Sequence, residues 1–480
     1  MIAEITTIVI PLILLLGTIL SYFTRYDGKT KASLTLIYLI VVCWSIYVTY
    51  LVYTGNVIVA FGEEFRVDSL SALYLILVSS IFMMCLLYSY DYMEQYVENF
   101  GLNKATLKSY YSMLTITFLT LYVMSISNNA FILWVFVEAT TLTTVLLVGY
   151  GRSENSLEAS WKYILLCVVG LTSALYGTSL IYSYIFNVTG DPYKGLLFTS
   201  IGKYISSVEY ETSTFALLMI VIGYGVKAGI VPVHWWLPDA YSEAPSPISA
   251  VLSSVVTGCG FYAIFRWFTI LSPPIYDSFK PVFLAIGIAS IFIGSLSIIG
   301  QTDLKRALAY SSITNMGVIA LAMAYPPLGI AYAIMHLFNH SLLKATTFLA
   351  TGNLEHVYGR RNSLHGVIAD SPVLGFTAIA SVIALEGSPP FSMFYSVLGV
   401  ALAIGDIAIT LIYLIGLFIG FIALTYMFIE TIWGEKVNRN MKNKCPRLMV
   451  LTPLLLLTLT AILGLYISPL ANMCWRCVPR

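Results

Sequence analysis

Six ionisable residues stand where water would have least access to them. Glu138 lies in ILWVFVEATTLTTVLLVGY, Lys227 in GYGVKAGIVPVHWWLP, and Glu386 in ALEGSPPFSMF. His336, His340 and Lys344 share HLFNHSLLKATTFLATGNLEH at intervals of four, which puts all three on one helical face at ~6 Å rise per step. A charged group at the middle of a bilayer costs at least ~2.5–3.5 kcal/mol, so each needs a reason to be there. Burial favours the uncharged form of a Glu or a Lys, and an opposite charge nearby favours the charged form. A Glu and a Lys that approach and separate therefore trade protons with distance, and histidines suit the relay between them. The bland alternative is a Glu138–Lys227 ion pair that pins two helices, or a single His336 satisfied in the core. Three titratable groups on one apolar face are harder to assign to packing. Together these residues predict a lateral proton path at mid-depth.

The elements around them are membrane spans. Of the 480 residues 58% are hydrophobic and 10% charged, against about 25% charged in soluble domains; the mean hydropathy is +0.84. Apolar runs long enough for a ~30 Å hydrocarbon core recur along almost the whole chain. A ~19-residue window places them near 5–24, 32–53, 67–90, 109–127, 130–151, 160–187, 213–237, 247–270, 281–300, 305–324, 327–352, 372–404, 406–432 and 448–468. The expected fold is thus an all-α polytopic membrane protein of about fourteen transmembrane helices. The first run lacks a basic leader and a small-residue cleavage site, and is expected to be a retained helix. The connections 188–212 and 433–447 are too short to fold alone.

Sixteen of the 25 Lys and Arg fall in loops that follow odd-numbered spans, and seven on the opposite side. Positive-inside logic then puts both termini outside the cytoplasm of a prokaryotic plasma membrane. The two basic residues left over are Lys227 and Lys344. His356 and His365 flank the Arg360–Arg361 loop and are expected to be solvated, and His234 beside Trp235 and Trp236 is expected at a helix break or interface. A net charge of +1 gives no argument for nucleic acid. Cys474 and Cys477 form a lone CxxC, weak evidence for a metal or redox role. No metal site and no catalytic residue is expected.

Two spans carry interruptions beside a charge. Pro232 removes a hydrogen bond from the seventh, five residues after Lys227; Gly387, Pro389 and Pro390 break the twelfth directly after Glu386. Backbone freed at depth is tolerated only where protein or water satisfies it. Interrupted spans at matching places in two halves are the mark of an inverted-repeat transporter. The expected layout is residues 1–108 as helices 1–3, residues 109–271 (helices 4–8) and 272–432 (helices 9–13) as two inverted five-helix repeats with discontinuous helices 7 and 12, and residues 433–480 as helix 14 and a tail.

The runs LWVFVEATTLTTVLLVGY, GYGVKAGIVPVHWWLPDAYSEAPSPISAVLS, QTDLKRALAYSSITNMG and HLFNHSLLKATTFLATGNLEH closely resemble the antiporter-like subunits of respiratory complex I. Subunits of membrane-bound nickel–iron hydrogenase, formate hydrogenlyase and multisubunit cation–proton antiporter complexes carry the same pattern. The resemblance runs from RVDSLSALYLILVSSIF, at about residue 66, to about residue 396. It implies an ion-translocating subunit (H⁺ and/or Na⁺) of a redox-driven membrane complex, with no cofactor of its own. Its implied partners are further antiporter-like subunits, other membrane subunits, peripheral iron–sulfur and hydrogenase-like subunits, and lipids. By motif, Glu138 and Lys227 match a coupled acid–lysine pair, His336, His340 and Lys344 a central relay, and Pro232 and the GSPP stretch the two helix breaks.

Two departures matter. Where the family usually carries a lysine in the eighth span, SAVLSSVVTGCGFYAIFRW gives Gly258; where it usually carries a Lys or Glu beyond the twelfth-span break, FSMFYSVLG gives Val397. Glu386 is the candidate to replace the second, while Arg266 lies about 12 Å along the helix from Gly258, too near the outer interface to replace the first. Two other readings stay open: a non-conducting structural spacer of the same complex, and a subunit of a sodium/proton antiporter without redox partners. The absence of a long amphipathic helix after the fourteenth span implies a place within or alongside a stack of related subunits.

Overall fold

The structure, a computed structural model, describes residues 1–24, 26–359, 366–434 and 445–478. His365, Arg360 and Arg361 lie outside the described residues, as do Arg25 and the basic cluster Lys436, Arg439, Lys442 and Lys444.

Two helices, α1 (Ile2–Phe23) and α2 (Gly28–Tyr53), lead into a short antiparallel hairpin, β1 (Ile58–Ala60) and β2 (Phe65–Val67), in which Val59 faces Arg66. Then come α3 (Ser69–Asn99), α4 (Thr106–Ile126), α5 (Ala130–Val148) and α6 (Glu154–Thr189). A short α7 (Phe198–Tyr204) precedes α8 (Tyr210–Ala228), which breaks before α9 (Leu237–Glu243). The chain continues as α10 (Ser246–Phe268), α11 (Pro273–Ser278), α12 (Lys280–Ile299), α13 (Leu304–Met323) and α14 (Leu328–Tyr358). It closes with α15 (Val367–Asp370), α16 (Pro372–Leu385), α17 (Met393–Ile404), α18 (Ile407–Ile432), α19 (Arg447–Leu465) and α20 (Ser468–Arg476).

Eleven of the described helices are long and apolar enough to cross a membrane. α13 and α14 have the length but carry too many polar residues to qualify. The hairpin amends the all-helical expectation. Its strands alternate around a Gly-Glu-Glu turn, too short to register in a window sized for spans, and Asn128 N–H donates to Glu64 O at 2.8 Å, which ties the turn to the α4–α5 corner.

Helix starts are written in the sequence. Asp27, Asp68, Asn129, Ser153, Asp303 and Asp406 each precede a helix and accept from a backbone N–H of its first turn. Such a cap satisfies donors the helix itself leaves orphaned. Burial then sorts the helices. The apolar window of α10 is 100% buried, whereas those of α1 and α18 are 22% buried and present Leu16, Ile407 and Phe418 outward. A broad apolar exterior of this kind fits lipid as its solvent. α10 packs so closely on α8 that a Cβ at Gly260 would lie 2.6 Å from both Ala228 N and Tyr224 O. Small residues at such contacts let backbones approach in a membrane bundle.

Candidate functional site

Lys227 sits in the last turn of α8, fully buried. Its Nζ donates to Thr141 Oγ1 of α5 and to Tyr163 Oη of α6, both at 2.9 Å, and lies 5.1 Å from the Tyr163 ring centre. Tyr163 Oη is also 2.8 Å from Thr144 Oγ1. Glu138, on α5, is half-buried and forms no ion pair with Lys227; its Oε2 has no hydrogen-bond partner among the described residues. In place of the expected ion pair, hydroxyls hold the ammonium, and one of them, Thr141, stands one helical turn along α5 from Glu138.

The break beside Lys227 starts earlier than the proline. α8 ends at Ala228 because Gly229 turns left-handed at φ 71°, a conformation glycine adopts without a Cβ penalty. Pro232 then keeps the chain from resuming. The loosened backbone is held from several directions: Trp236 Nε1 donates to Val226 O at 2.8 Å, and Val231 N–H donates to Ser290 Oγ of α12 at 3.0 Å. His234 is buried at this break with its ring stacked 4.8 Å from that of Trp235, which is exposed.

In the second half the polar groups form a string. Lys344 Nζ donates to Leu308 O at 2.6 Å and to Ser311 Oγ, both on α13. Asn315 Nδ2 donates to Ser311 O at 2.7 Å, which turns Asn315 Oδ1 toward His336 Nε2, 3.1 Å away. An amide oxygen only accepts, so Nε2 carries the proton and Nδ1 faces the Ser396 hydroxyl of α17 at 3.1 Å. The string Lys344–Ser311–Asn315–His336–Ser396 thus reaches from α14 through α13 to the helix after the second break, passing at Ser311 from its hydroxyl, which takes Lys344, to its main-chain carbonyl, which takes Asn315. His340, between His336 and Lys344, is fully buried, and neither ring nitrogen has a partner among the described residues.

Glu386 follows the last residue of α16, half-buried, with Oε1 lacking a partner among the described residues. Gly387 turns left-handed at φ 85°, and a Cβ there would lie 3.0 Å from Val397 Cγ2, so Val397 packs over the break beside Glu386. Pro389 and Pro390 carry the chain to Ser392, whose N–H donates to Thr460 O at 3.0 Å and whose carbonyl accepts from Asn339 Nδ2 at 3.0 Å. The break is therefore clasped between α14 and α19.

Several partners escaped the sequence reading. Thr141 lies one turn from Glu138 and Ser396 one residue from Val397, while Ser311 and Asn315 fall inside the quoted run QTDLKRALAYSSITNMG. Lys305, counted there with the loop charges, is 3% exposed: its Nζ donates to Ala244 O at 2.5 Å and lies 3.9 Å from Glu355 Oε2. Glu355 and Lys305 border a cavity of about 190 Å³ together with Glu243, Tyr92 and His356. His356, expected to be solvated, is half-buried there, 6.5 Å from the Tyr92 ring. Arg266 grips Asp68 at 2.6 and 2.9 Å.

The family model described as NADH:quinone oxidoreductase/Mrp antiporter, TM, matches residues 127–423. A hydrogenase-4 component F homolog of Methylacidiphilum infernorum (isolate V4) is 34% identical over 357 residues, covering 72% of this chain and 75% of that protein. Among solved structures, a chain of the membrane-bound sulfane sulfur reductase, an archaeal respiratory membrane complex, aligns with a TM-score of 0.85 at 23% identity, over 99% of this chain and 96% of its own. A chain of the Mrp complex from Dietzia sp. DQ12-45-1b aligns with a TM-score of 0.86 at 20% identity over the same shares.

Proposed function

The chain belongs to the NADH:quinone oxidoreductase/Mrp antiporter family of membrane subunits, and from that premise we propose that it moves H⁺ and/or Na⁺ as an antiporter-like subunit of a redox-driven complex. The complex would be of the complex I or membrane-bound hydrogenase type, with electron transfer in partner subunits. The observation that carries this reading is the buried string from Lys344 to Ser396. Lys344 donates to Ser311 Oγ, and His336 on the same helix lies between the Asn315 amide and the Ser396 hydroxyl, so two titratable groups stand buried along one line of polar side chains, which a merely structural lysine does not need. Lys227, held by Thr141 and Tyr163, is the corresponding carrier in the first half, with Glu138, one turn from Thr141 along α5, as the acid that draws or releases its proton.

The architecture we propose has fourteen crossings: the eleven apolar ones, α13 and α14 as polar spans, and α16 with α17 as one interrupted span. Residues 109–271 and 272–432 form the two inverted repeats, each with its interrupted helix fourth, between helices 1–3 (1–108) and the C-terminal segment (433–480). Both termini lie outside the cytoplasm of a prokaryotic plasma membrane. Other antiporter-like subunits, peripheral iron–sulfur and hydrogenase-like subunits, and lipids complete the assembly. Glu386 takes the terminal position that Val397 leaves uncharged.

A second reading has its own support. Gly258 and Val397 are uncharged, and Glu138 Oε2, Glu386 Oε1 and both ring nitrogens of His340 have no hydrogen-bond partner among the described residues, as a non-conducting spacer would allow. A third, an antiporter subunit without redox partners, is excluded if its gene neighbours encode a hydrogenase-like large subunit. The deciding experiment is ion transport by the intact complex in sealed vesicles, wild type against Lys227→Ala. Collapse of the gradient in a fully assembled variant supports translocation; an unchanged gradient leaves the spacer.

A further inference from the structure

At one end of the bundle α2 finishes at Tyr53, α3 begins at Ser69 and α10 finishes at Phe268, and the chain there surrounds a cavity of about 550 Å³. That volume falls in the ~300–1,000 Å³ range of ligand sites. Its walls include Arg66 of the hairpin, Asp68 before α3, Arg266 in the last turn of α10 and Arg476 in the last turn of α20. Three guanidinium groups thus share the space with one carboxylate, an excess of two positive charges among the described residues that line it.

The carboxylate is already engaged. Asp68 accepts from both arms of Arg266 and from Ser71 N–H, and Arg66 Nε comes no nearer to it than 4.0 Å. The Arg66 side chain keeps 29% exposure and makes no hydrogen bond among the described residues. The hairpin's own acids are turned to other groups: Glu63 Oε2 accepts from Thr199 Oγ1, and Glu64 Oε2 from Asn129 Nδ2. Arg476 is fixed by main chain. Its Nη1 donates to Tyr53 O at 2.6 Å and to Val52 O at 3.3 Å, carbonyls that the end of α2 leaves orphaned, and its guanidinium carbon lies 5.5 Å from the Tyr53 ring centre. Nε and Nη2 of Arg476 have no partner among the described residues. Asp68 accounts for Arg266, and helix capping for one nitrogen of Arg476. Nothing in the fold accounts for Arg66.

We propose that this cavity binds a phosphate group, with Arg66 and Arg476 as its charged ligands and the Arg266–Asp68 pair as a fixed wall. A guanidinium fork matches phosphate oxygens two at a time, and such charge-assisted bonds are roughly twice as strong as neutral ones. The hydroxyls of Ser69 and Thr269 border the same space and can add donors. The level of the cavity favours a lipid headgroup as the source of the phosphate. Span ends mark the boundary of the hydrocarbon core, where headgroups begin. Tyr53 and Trp475, both exposed, stand beside Arg476 in the chain or against its side chain, as aromatic residues do at that level. Free phosphate offers the same oxyanion from solution. The site serves a conducting subunit and a spacer alike, so it does not depend on ion transport.

The test uses the intact complex, stripped of lipid in a neutral detergent, with hydrogen–deuterium exchange read peptide by peptide. Phosphatidylglycerol, phosphatidylcholine and inorganic phosphate are added in turn at matched ionic strength, since salt screens exposed charges. Phosphatidylglycerol should slow exchange several-fold in segments 54–68 and 466–478. Phosphatidylcholine, whose choline cancels the charge, should need a higher concentration. Arg66→Gln and Arg476→Gln should each raise the half-saturating concentration of phosphatidylglycerol about tenfold, the loss of one charge-assisted contact. Lys280→Gln, at an exposed position on the same end of the bundle and outside the cavity, should leave it unchanged. Protection by inorganic phosphate and not by lipid keeps the oxyanion site and makes its occupant a soluble one. Absence of protection by all three probes overturns the site, as does wild-type affinity in both arginine variants or an equal loss in Lys280→Gln. Should Arg476→Gln fail to assemble, Arg66→Gln decides alone, because its side chain holds nothing in the fold, and wild-type affinity there overturns the site.

Discussion

Lys227 gives its ammonium to Thr141, one helical turn along α5 from Glu138, and not to the carboxylate. A lysine held by neutral hydroxyls keeps its charge on weaker terms than one in an ion pair, because hydroxyls return no opposite charge. The carboxylate is then free to change protonation without breaking a contact.

This arrangement separates a working acid from a structural one. Breaking a buried ion pair by removing one partner costs about 3–5 kcal/mol, so a pinning Glu138 would show itself in stability. We predict that Glu138→Gln leaves the thermal midpoint of the detergent-solubilised complex unchanged and slows ion transport several-fold. Thr141→Val should do more to stability, about 1.5–3 kcal/mol, since it strips a charged donor of its acceptor. A lower midpoint in Glu138→Gln than in Thr141→Val would reverse the assignment.

Arg266 of the first half forms an ion pair with Asp68, at the start of α3. Asp68 also caps α3 through Ser71 N–H at 3.1 Å, and Arg266 Nε reaches Tyr262 Oη at 3.0 Å. The Asp68 side chain keeps 27% exposure, so Arg266→Gln should cost about 2–4 kcal/mol, less than a fully buried pair. Denaturation of the purified complex measures it. Since Arg266 is engaged by Asp68 and Tyr262, the fraction that assembles should transport ions at the wild-type rate.

The charges of this site were legible because an ammonium or carboxylate in an apolar run is costly enough to stand out. Thr141, Ser311, Asn315 and Ser396 were not, since hydroxyls and amides recur throughout membrane helices and satisfy themselves on the preceding turn, as Thr140 does on Val137 O. The interruption of the seventh span was visible in Pro232, yet its onset belongs to Gly229, whose left-handed turn has no unique signature among many glycines. The π-turn over Leu252–Val256 of α10 is silent in sequence, and its Leu252, Ser254 and Val255 carbonyls are met by Tyr241, Ser341 and Tyr74 from other helices. Lys305 was misread for a related reason. A basic residue at a helix start resembles a loop charge until the carbonyl of Ala244 is seen to cover it.

Gly260 makes a prediction about assembly alone. With Ala228 N and Tyr224 O each 2.6 Å from the position of its Cβ, α8 and α10 must separate to admit a methyl group. Overpacking of this kind costs about 1–3 kcal/mol, and rigid backbone on the other side puts it at the upper end. Gly260→Ala should therefore leave little intact complex on a native gel, in contrast to the same substitution at Gly258, whose Cβ would meet no atom nearer than Leu337 Cδ1 at 3.4 Å. Equal yields of the two variants would show that α8 and α10 can slide apart.

Asn315 carries the most exposed prediction about the string. Its side chain is held at both ends: Nδ2 donates to the carbonyl of Ser311, whose hydroxyl takes Lys344, and Oδ1 accepts from His336 Nε2. Asn315→Leu preserves the volume and removes both links, leaving the Nε2 proton without an acceptor. Leaving such a donor buried costs about 1–3 kcal/mol, which the assembled complex should tolerate as a modest fall in thermal midpoint. Ion transport should fall much further, by about tenfold or more, because a relay fails where one member is missing. Ser396→Ala is the graded control. Its hydroxyl already has Met393 O at 2.8 Å as an alternative acceptor, so His336 Nδ1 depends on it less, and transport should drop by a smaller factor. If Asn315→Leu transports as well as the wild type, protons reach His336 or pass it by another way, and the two unpartnered nitrogens of His340 become the place to look.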